Sequence, residues 1–139
     1  MLKFASIFAL ITLLIAVSII NNHDDDTVVA AKSFVLNQEV AVEMQPFPIR
    51  IEEQTFFQLS FSNGLSATEL EINAWIEGIN MYMGKNQANI ELDPETGKLQ
   101  GWFFLGSCSE PIMQWRFYLK LKRENGEKQT LSFDFFTEM

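Results

Sequence analysis

The ten residues Met113–Lys122, "MQWRFYLKLK", alternate without a break between apolar and polar side chains. Met113, Trp115, Phe117, Leu119 and Leu121 fall on one face of an extended chain. Gln114, Arg116, Tyr118, Lys120 and Lys122 fall on the other. A period of two is the geometry of a strand with one face in a core, and no helix can place those five apolar residues on one side. The same period recurs elsewhere. "QTFFQLSF" puts Phe57, Leu59 and Phe61 on one face, "ELEINAWIE" puts Leu70, Ile72, Ala74 and Ile76 together, and "TLSFDFF" does so with Leu131, Phe133 and Phe135. Asn63-Gly64, "DPETG" at 93–97 and Asn125-Gly126 punctuate these runs with residues that favour hairpin turns. Further strands are expected around 34–43 and 48–52, on either side of "MQPFP", whose prolines suit an edge or a crossing between strands. "ANIEL" and "KLQGWFFLG" complete the set. About seven short strands at roughly ten-residue spacing, with no amphipathic helix, predict an all-β domain: an immunoglobulin-like antiparallel β-sandwich over 33–139.

Ahead of that domain, Phe4 to Ile20 reads "FASIFALITLLIAVSII", uncharged and long enough with its flanks to cross a bilayer. Residues 1–20 are therefore expected to form an N-terminal transmembrane helix or signal segment, and 21–32 a polar acidic linker. Lys3 precedes the run and "NNHDDD" follows it, so the positive-inside rule places the folded domain on the periplasmic or extracytoplasmic side of the cytoplasmic membrane. Two fates are open at this point: an uncleaved single-pass anchor, or secretion after cleavage near the small residues of "VVAAK" at 28–32. A lipoprotein anchor is excluded, because no cysteine lies near the end of the apolar run.

Charge and composition narrow the function. With 18 acidic and 10 basic residues the chain carries a formal net charge of −8, which opposes a phosphate backbone, so nucleic acid is not an expected partner. The single histidine, His23, lies in the linker. Histidine-centred triads, HExxH zinc sites and two-His-plus-Cys copper sites all require histidine in the domain. The paired acids Glu52-Glu53 and Glu69/Glu71 read as solvation of outward faces. The Asp24–Asp26 run lacks the other oxygen ligands and the glycine of a calcium loop. Cys108 has no histidine to act as its base. An enzyme is not expected.

The remaining donors are sulfurs. Met81 and Met83, two apart in "NMYMGKN", share a face if the stretch is extended. Met113 begins the inward face of the cleanest strand, and Cys108, the one cysteine, lies in "GSCSEP" just before it. Thioether and thiolate are soft ligands that suit Cu(I) without help from histidine, and an indole, Trp102 or Trp115, could cap such a site. Methionine is equally a filler of cores, and free cysteine is among the most buried residues. Both readings are open from the residues alone. Trp75 and Trp102, on the polar sides of their strands, are candidate anchors for a protein partner.

The run "INMYMGKNQANIELDPETGKLQGWFFL" with "MQWRFYLKL" after it resembles the extracytoplasmic YtkA-like and FixH-like domains. Met81, Met83, Gly84, Gly97, Gly101 and Trp115 are the positions that match. The resemblance implies an immunoglobulin-like domain, often membrane-anchored, associated with copper handling or with assembly of copper-containing respiratory oxidases. It implies Cu(I) as the bound ion and an envelope or respiratory-complex protein as partner.

Overall fold

The computed structural model describes residues 30–62 and 66–138. The expected anchor, most of the linker and the Asn63-Gly64 turn lie outside the described residues. Among those described, nine strands form two antiparallel sheets. They are β1 (Lys32–Val35), β2 (Val40–Gln45), β3 (Gln54–Phe61), β4 (Leu70–Gly78), β5 (Lys85–Gln87), β6 (Asn89–Leu92), β7 (Leu99–Phe104), β8 (Ile112–Arg123) and β9 (Lys128–Glu138). One sheet has the order β1-β2-β3-β7-β6 and the other β5-β4-β8-β9. The fold is an all-β sandwich. A single 3₁₀ turn, Ala67–Glu69, capped by Ser66, precedes β4.

The alternation read from the sequence sets which side chains meet between the sheets. Met113, Trp115, Phe117, Leu119 and Leu121 of β8 are all buried, and they face Phe57 and Leu59 of β3, Val42 and Met44 of β2 and Phe103 of β7 in one core. Aromatic rings join the layers: Phe57 meets Phe117 edge-on at 5.3 Å and Phe34 of β1 stacks on Phe133 at 4.1 Å, while Phe117 and Phe133 stack at 5.2 Å within their own sheet. The Phe34–Phe133 contact closes the open side between β1 and β9. The buried indole of Trp115 donates Nε1–H to Thr137 Oγ1 at 2.9 Å, so the largest core side chain leaves no orphan donor.

Three features depart from the expected strands. The segment 34–43 is two strands, because Asn37 Oδ1 accepts from the backbone N–H groups of Glu39 and Val40 and turns the chain between β1 and β2. The segment 48–52 is a loop rather than a strand, and it makes no crossing, since β2 and β3 are neighbours in one sheet. Pro48, with Pro46 just before the segment, lacks the N–H group a ladder needs, while Ile49 plugs the end of the core. The chain changes sheet elsewhere, from β3 to β4, from β5 to β6 and from β7 to β8. β5 pairs with β4, and β6, one residue further on, pairs with β7 in the other sheet, with Ala88 N–H held by the Ala74 carbonyl at the switch.

The strand directions give the sandwich two distinct ends. The near end carries the start of β1, the β2–β3 and β4–β5 loops, the β7–β8 loop and the end of β9. The far end carries the "DPETG" loop, where Asp93 accepts from Glu95, Thr96 and the Thr96 hydroxyl, and the Asn125-Gly126 turn.

On the outer face of β8 and β9, Arg116 and Asp134 form a two-point ion pair at 2.6 and 2.9 Å, with Gln114 also donating to Asp134. The Arg116 guanidinium holds the Asp134 carboxyl below the ordinary carboxylate range. A depressed folded-state value stabilises the fold above the unfolded-state value of about 3.9, and that contribution disappears as pH falls through the folded value. Asp134→Asn is therefore expected to be less stable than wild type at pH 7. The gap between the two should close below pH about 4 in denaturant titrations.

Candidate functional site

The four sulfur-bearing residues come from three separate segments, all at the near end. β4 ends at Gly78, and the chain then turns through 79–84 before β5. Met81 and Met83 thus lie in a loop and not on an extended strand. They still share a face. Both are half-buried and packed against the core, while Tyr82 between them is 91% exposed. The loop is pinned to β8 by hydrogen bonds: Ile79 N–H to the Gln114 carbonyl, Asn80 Nδ2–H to the Ile112 carbonyl, and Gln114 N–H to Asn80 Oδ1.

Gly78 makes the convergence possible. A Cβ placed there would lie 2.2 Å from the Met81 carbonyl oxygen, 3.1 Å from Met113 Cε and 3.3 Å from Met83 Cγ. Those last two atoms are each bonded to a sulfur, so the Met83 and Met113 side chains both lie against Gly78. Met113 itself is buried at the start of β8. Trp115, the Cα partner of Gly78 across the sheet, lies on the same inward face one position deeper.

Cys108 arrives from the β7–β8 loop. Its free, half-buried thiol lies 3.4 Å from Met81 Sδ, and Sγ accepts the Glu110 backbone N–H at 3.2 Å. Metal–sulfur bonds of about 2.3 Å put the sulfurs of a trigonal site roughly 4 Å apart, so a small outward shift of the two loops would admit an ion between Cys108 and Met81. Among the described residues no group of three or more His, Cys, Asp or Glu could hold a metal. The four candidate donors themselves are all soft sulfurs.

Gly78→Ala forces a side chain against backbone. Stability should fall by the roughly 1–3 kcal/mol typical of overpacking. The same change should lift the 79–83 loop away from Cys108, which a faster reaction of that thiol with a maleimide would report.

The two candidate anchor tryptophans lie on opposite outer faces. Trp75 is half-buried on β4, stacked on Tyr118 at 5.0 Å, with Lys85 Nζ 3.8 Å over its ring and its Nε1–H given to Glu77. Its indole is already engaged. Trp102 on β7 stands 39% exposed across from Phe56, beside a shallow hollow of about 270 Å³. A partner lying on one sheet cannot touch both. Trp115, not Trp102, is the indole near the sulfurs, because Trp102 points away from the space between the sheets.

What the alternation in the sequence does not reveal is the rim around this end. All four of Ile79, Tyr82, Ile112 and Phe136 are exposed: Ile79 and Tyr82 lie in the β4–β5 loop and Ile112 at the first position of β8, where periodicity carries no signal, while Phe136 faces outward on β9 as the alternation requires.

The described residues thus form an all-β sandwich of two antiparallel sheets with a sulfur-rich end. The fold is similar to the crystal structure of a DUF4426 family protein from Pseudomonas aeruginosa PAO1, at 13% identity and a TM-score of 0.48, over 76% of this chain and 93% of that one. No family model matches the chain, and no curated protein matches it.

Proposed function

We propose that the chain is a non-enzymatic, membrane-anchored extracytoplasmic module of immunoglobulin-like type that binds Cu(I) through Met81, Met83, Cys108 and Met113 and passes it on. Delivery would serve copper handling or the assembly of a respiratory oxidase. The observation that carries this reading is the 3.4 Å contact between Cys108 Sγ and Met81 Sδ, with Met83 and Met113 folded over Gly78 beside it. Soft donors from three segments, with no histidine in the domain, fit Cu(I) and fit hard cations poorly. The resemblance to YtkA-like and FixH-like domains supports the same ion. The apolar run at 4–20 with Lys3 before it supports the anchor and the side of the membrane.

The full chain in detergent, under reducing conditions, should hold one Cu(I) against a competing chelator. Met83→Leu combined with Cys108→Ser should abolish retention. Undiminished binding by that double variant would show the ion to be held elsewhere.

A second reading is a metal-free module for assembly in the envelope. The exposed Trp102–Phe56 pair and its hollow favour it. Capture of an envelope protein that is lost on Trp102→Ser, with no Cu(I) retained by wild type, would support that reading over the first.

A further inference from the structure

Nine large apolar side chains stand exposed among the described residues, and their placement is one-sided. Only Val35 and Leu92 lie toward the far end. The other seven gather toward the near end, where the sulfurs are. On the outer face of the β3–β7 sheet, Phe56 lies opposite Trp102, and Phe104 follows two residues on. On the outer face of the other sheet, Ile79 N–H bonds to the Gln114 carbonyl and Gln114 pairs with Phe136, so Ile79 and Phe136 flank one position of β8, with Ile112 diagonal to it. Tyr82 projects from the tip between Met81 and Met83.

Two apolar patches on opposite outer faces, about a sheet-packing distance of roughly 10 Å apart plus their own side chains, do not suit a rigid partner seated on one face. They suit a fluid surface that receives the whole end. The chain also enters the domain at this end: the Ala30 carbonyl accepts the Phe47 N–H at 2.7 Å, and β1 begins at Lys32. Residues 21–31 separate the apolar run from that point. At no more than about 3.6 Å per residue, such a tether holds the near end, and not the far one, within about 40 Å of wherever the apolar run is held. Trp and Tyr are the side chains enriched at the headgroup level, and bulky apolar side chains such as Phe bury themselves at the boundary just below it.

We infer that the near end of the sandwich seats in the headgroup layer of the bilayer, with the two apolar patches as a collar and the sulfur cluster at the membrane surface. This rests on the reading of 4–20 as an anchor and is independent of copper. Charge at this end is acidic, with Glu52, Glu53, Glu110 and Glu138 exposed beside Arg50 and Lys32. The seat is therefore apolar, and anionic lipid does not strengthen it. A membrane-embedded recipient, not a soluble one, would be the natural receiver of anything the sulfurs hold.

The test is fluorescence of the full chain reconstituted in phosphatidylcholine vesicles, in a Trp75→Phe background where Trp102 is the exposed indole and Trp115 is buried. Lipids brominated near the top of the acyl chain should remove most of the Trp102 emission, and acrylamide should reach it less than in urea. A Trp102→Phe control should lose the effect. Phe104→Ser with Phe136→Ser, both at solvent-facing positions, should weaken the bromolipid quenching, while added phosphatidylglycerol should not increase it. A chain that is recovered with the vesicles but whose Trp102 is untouched by bromolipid and open to acrylamide overturns the collar and leaves the anchor standing. Trp102 shielded only in native membranes, and not in vesicles, overturns it in favour of a protein partner. A chain not recovered with the vesicles at all overturns both readings.

Discussion

Trp115→Ala is expected to remove about 3–5 kcal/mol of stability, the usual range for deleting a buried aromatic ring. For a domain whose total stability is on the order of 5–15 kcal/mol, that is enough to leave much of the population unfolded. The reasons are local. Trp115 is fully buried between the sheets and sits across from Gly78, which has no side chain to fill the space its loss would leave. Thr137 Oγ1, itself buried, would also lose its donor. Trp115→Phe separates the two effects. It restores most of the volume but not the N–H, so its cost should be near the roughly 1–3 kcal/mol of an unsatisfied buried polar group. Urea denaturation of the three proteins measures both terms, and equal stability of Trp115→Ala and wild type would mean that the core is packed differently.

The second large effect is on the ion. Cys108 is the only anionic ligand the set can supply, and removing a direct thiolate donor should weaken Cu(I) binding by more than the roughly 10–100-fold that loss of an outer-shell partner brings. Cys108→Ser should therefore fall beyond that range while keeping the fold, since the residue lies in a loop and is half-buried. Met113→Leu is the informative companion. Leucine replaces a buried methionine at little volume change, so stability should move by less than about 1.5 kcal/mol while affinity drops. Competition titrations of the two variants, each beside its denaturation curve, distinguish ligation from packing. An affinity that follows stability and not sulfur content would identify the methionines as filler.

Much of this architecture is legible in the residues because burial on one face imposes a period of two. β8 and β9 follow that rule along their length, and each inward residue named from the sequence is buried or half-buried between the sheets. The rule fails where the chain leaves a ladder. Met81 and Met83 alternate around Tyr82 like strand residues, yet they lie in a loop, because what orients them is packing over Gly78 and hydrogen bonds to β8. The 48–52 segment carries two isoleucines at strand spacing but fills the end of the core as a loop. The count of nine strands, where about seven are expected, follows from the Asn37 turn and from β5. The Asn37 turn and the prolines act locally, whereas the Met81–Met83 loop is set by contacts from outside its own segment.

The site was legible in kind and not in arrangement. Sulfur donors are evident as residue types, but Met81 and Cys108 are 27 positions apart in sequence. That Cys108 meets Met81 depends on the β4–β5 and β7–β8 loops sharing an end, which follows from strand order rather than from any motif. The same topology places the apolar collar around them.

The most direct measurement is X-ray absorption at the copper edge on the full chain loaded with one equivalent of Cu(I). The expected result is a first shell of three or four sulfurs at about 2.3 Å with no nitrogen or oxygen, reduced in number in Cys108→Ser. A shell of nitrogen or oxygen, or a shell unchanged by that substitution, would contradict the assignment of the sulfur cluster as the copper site.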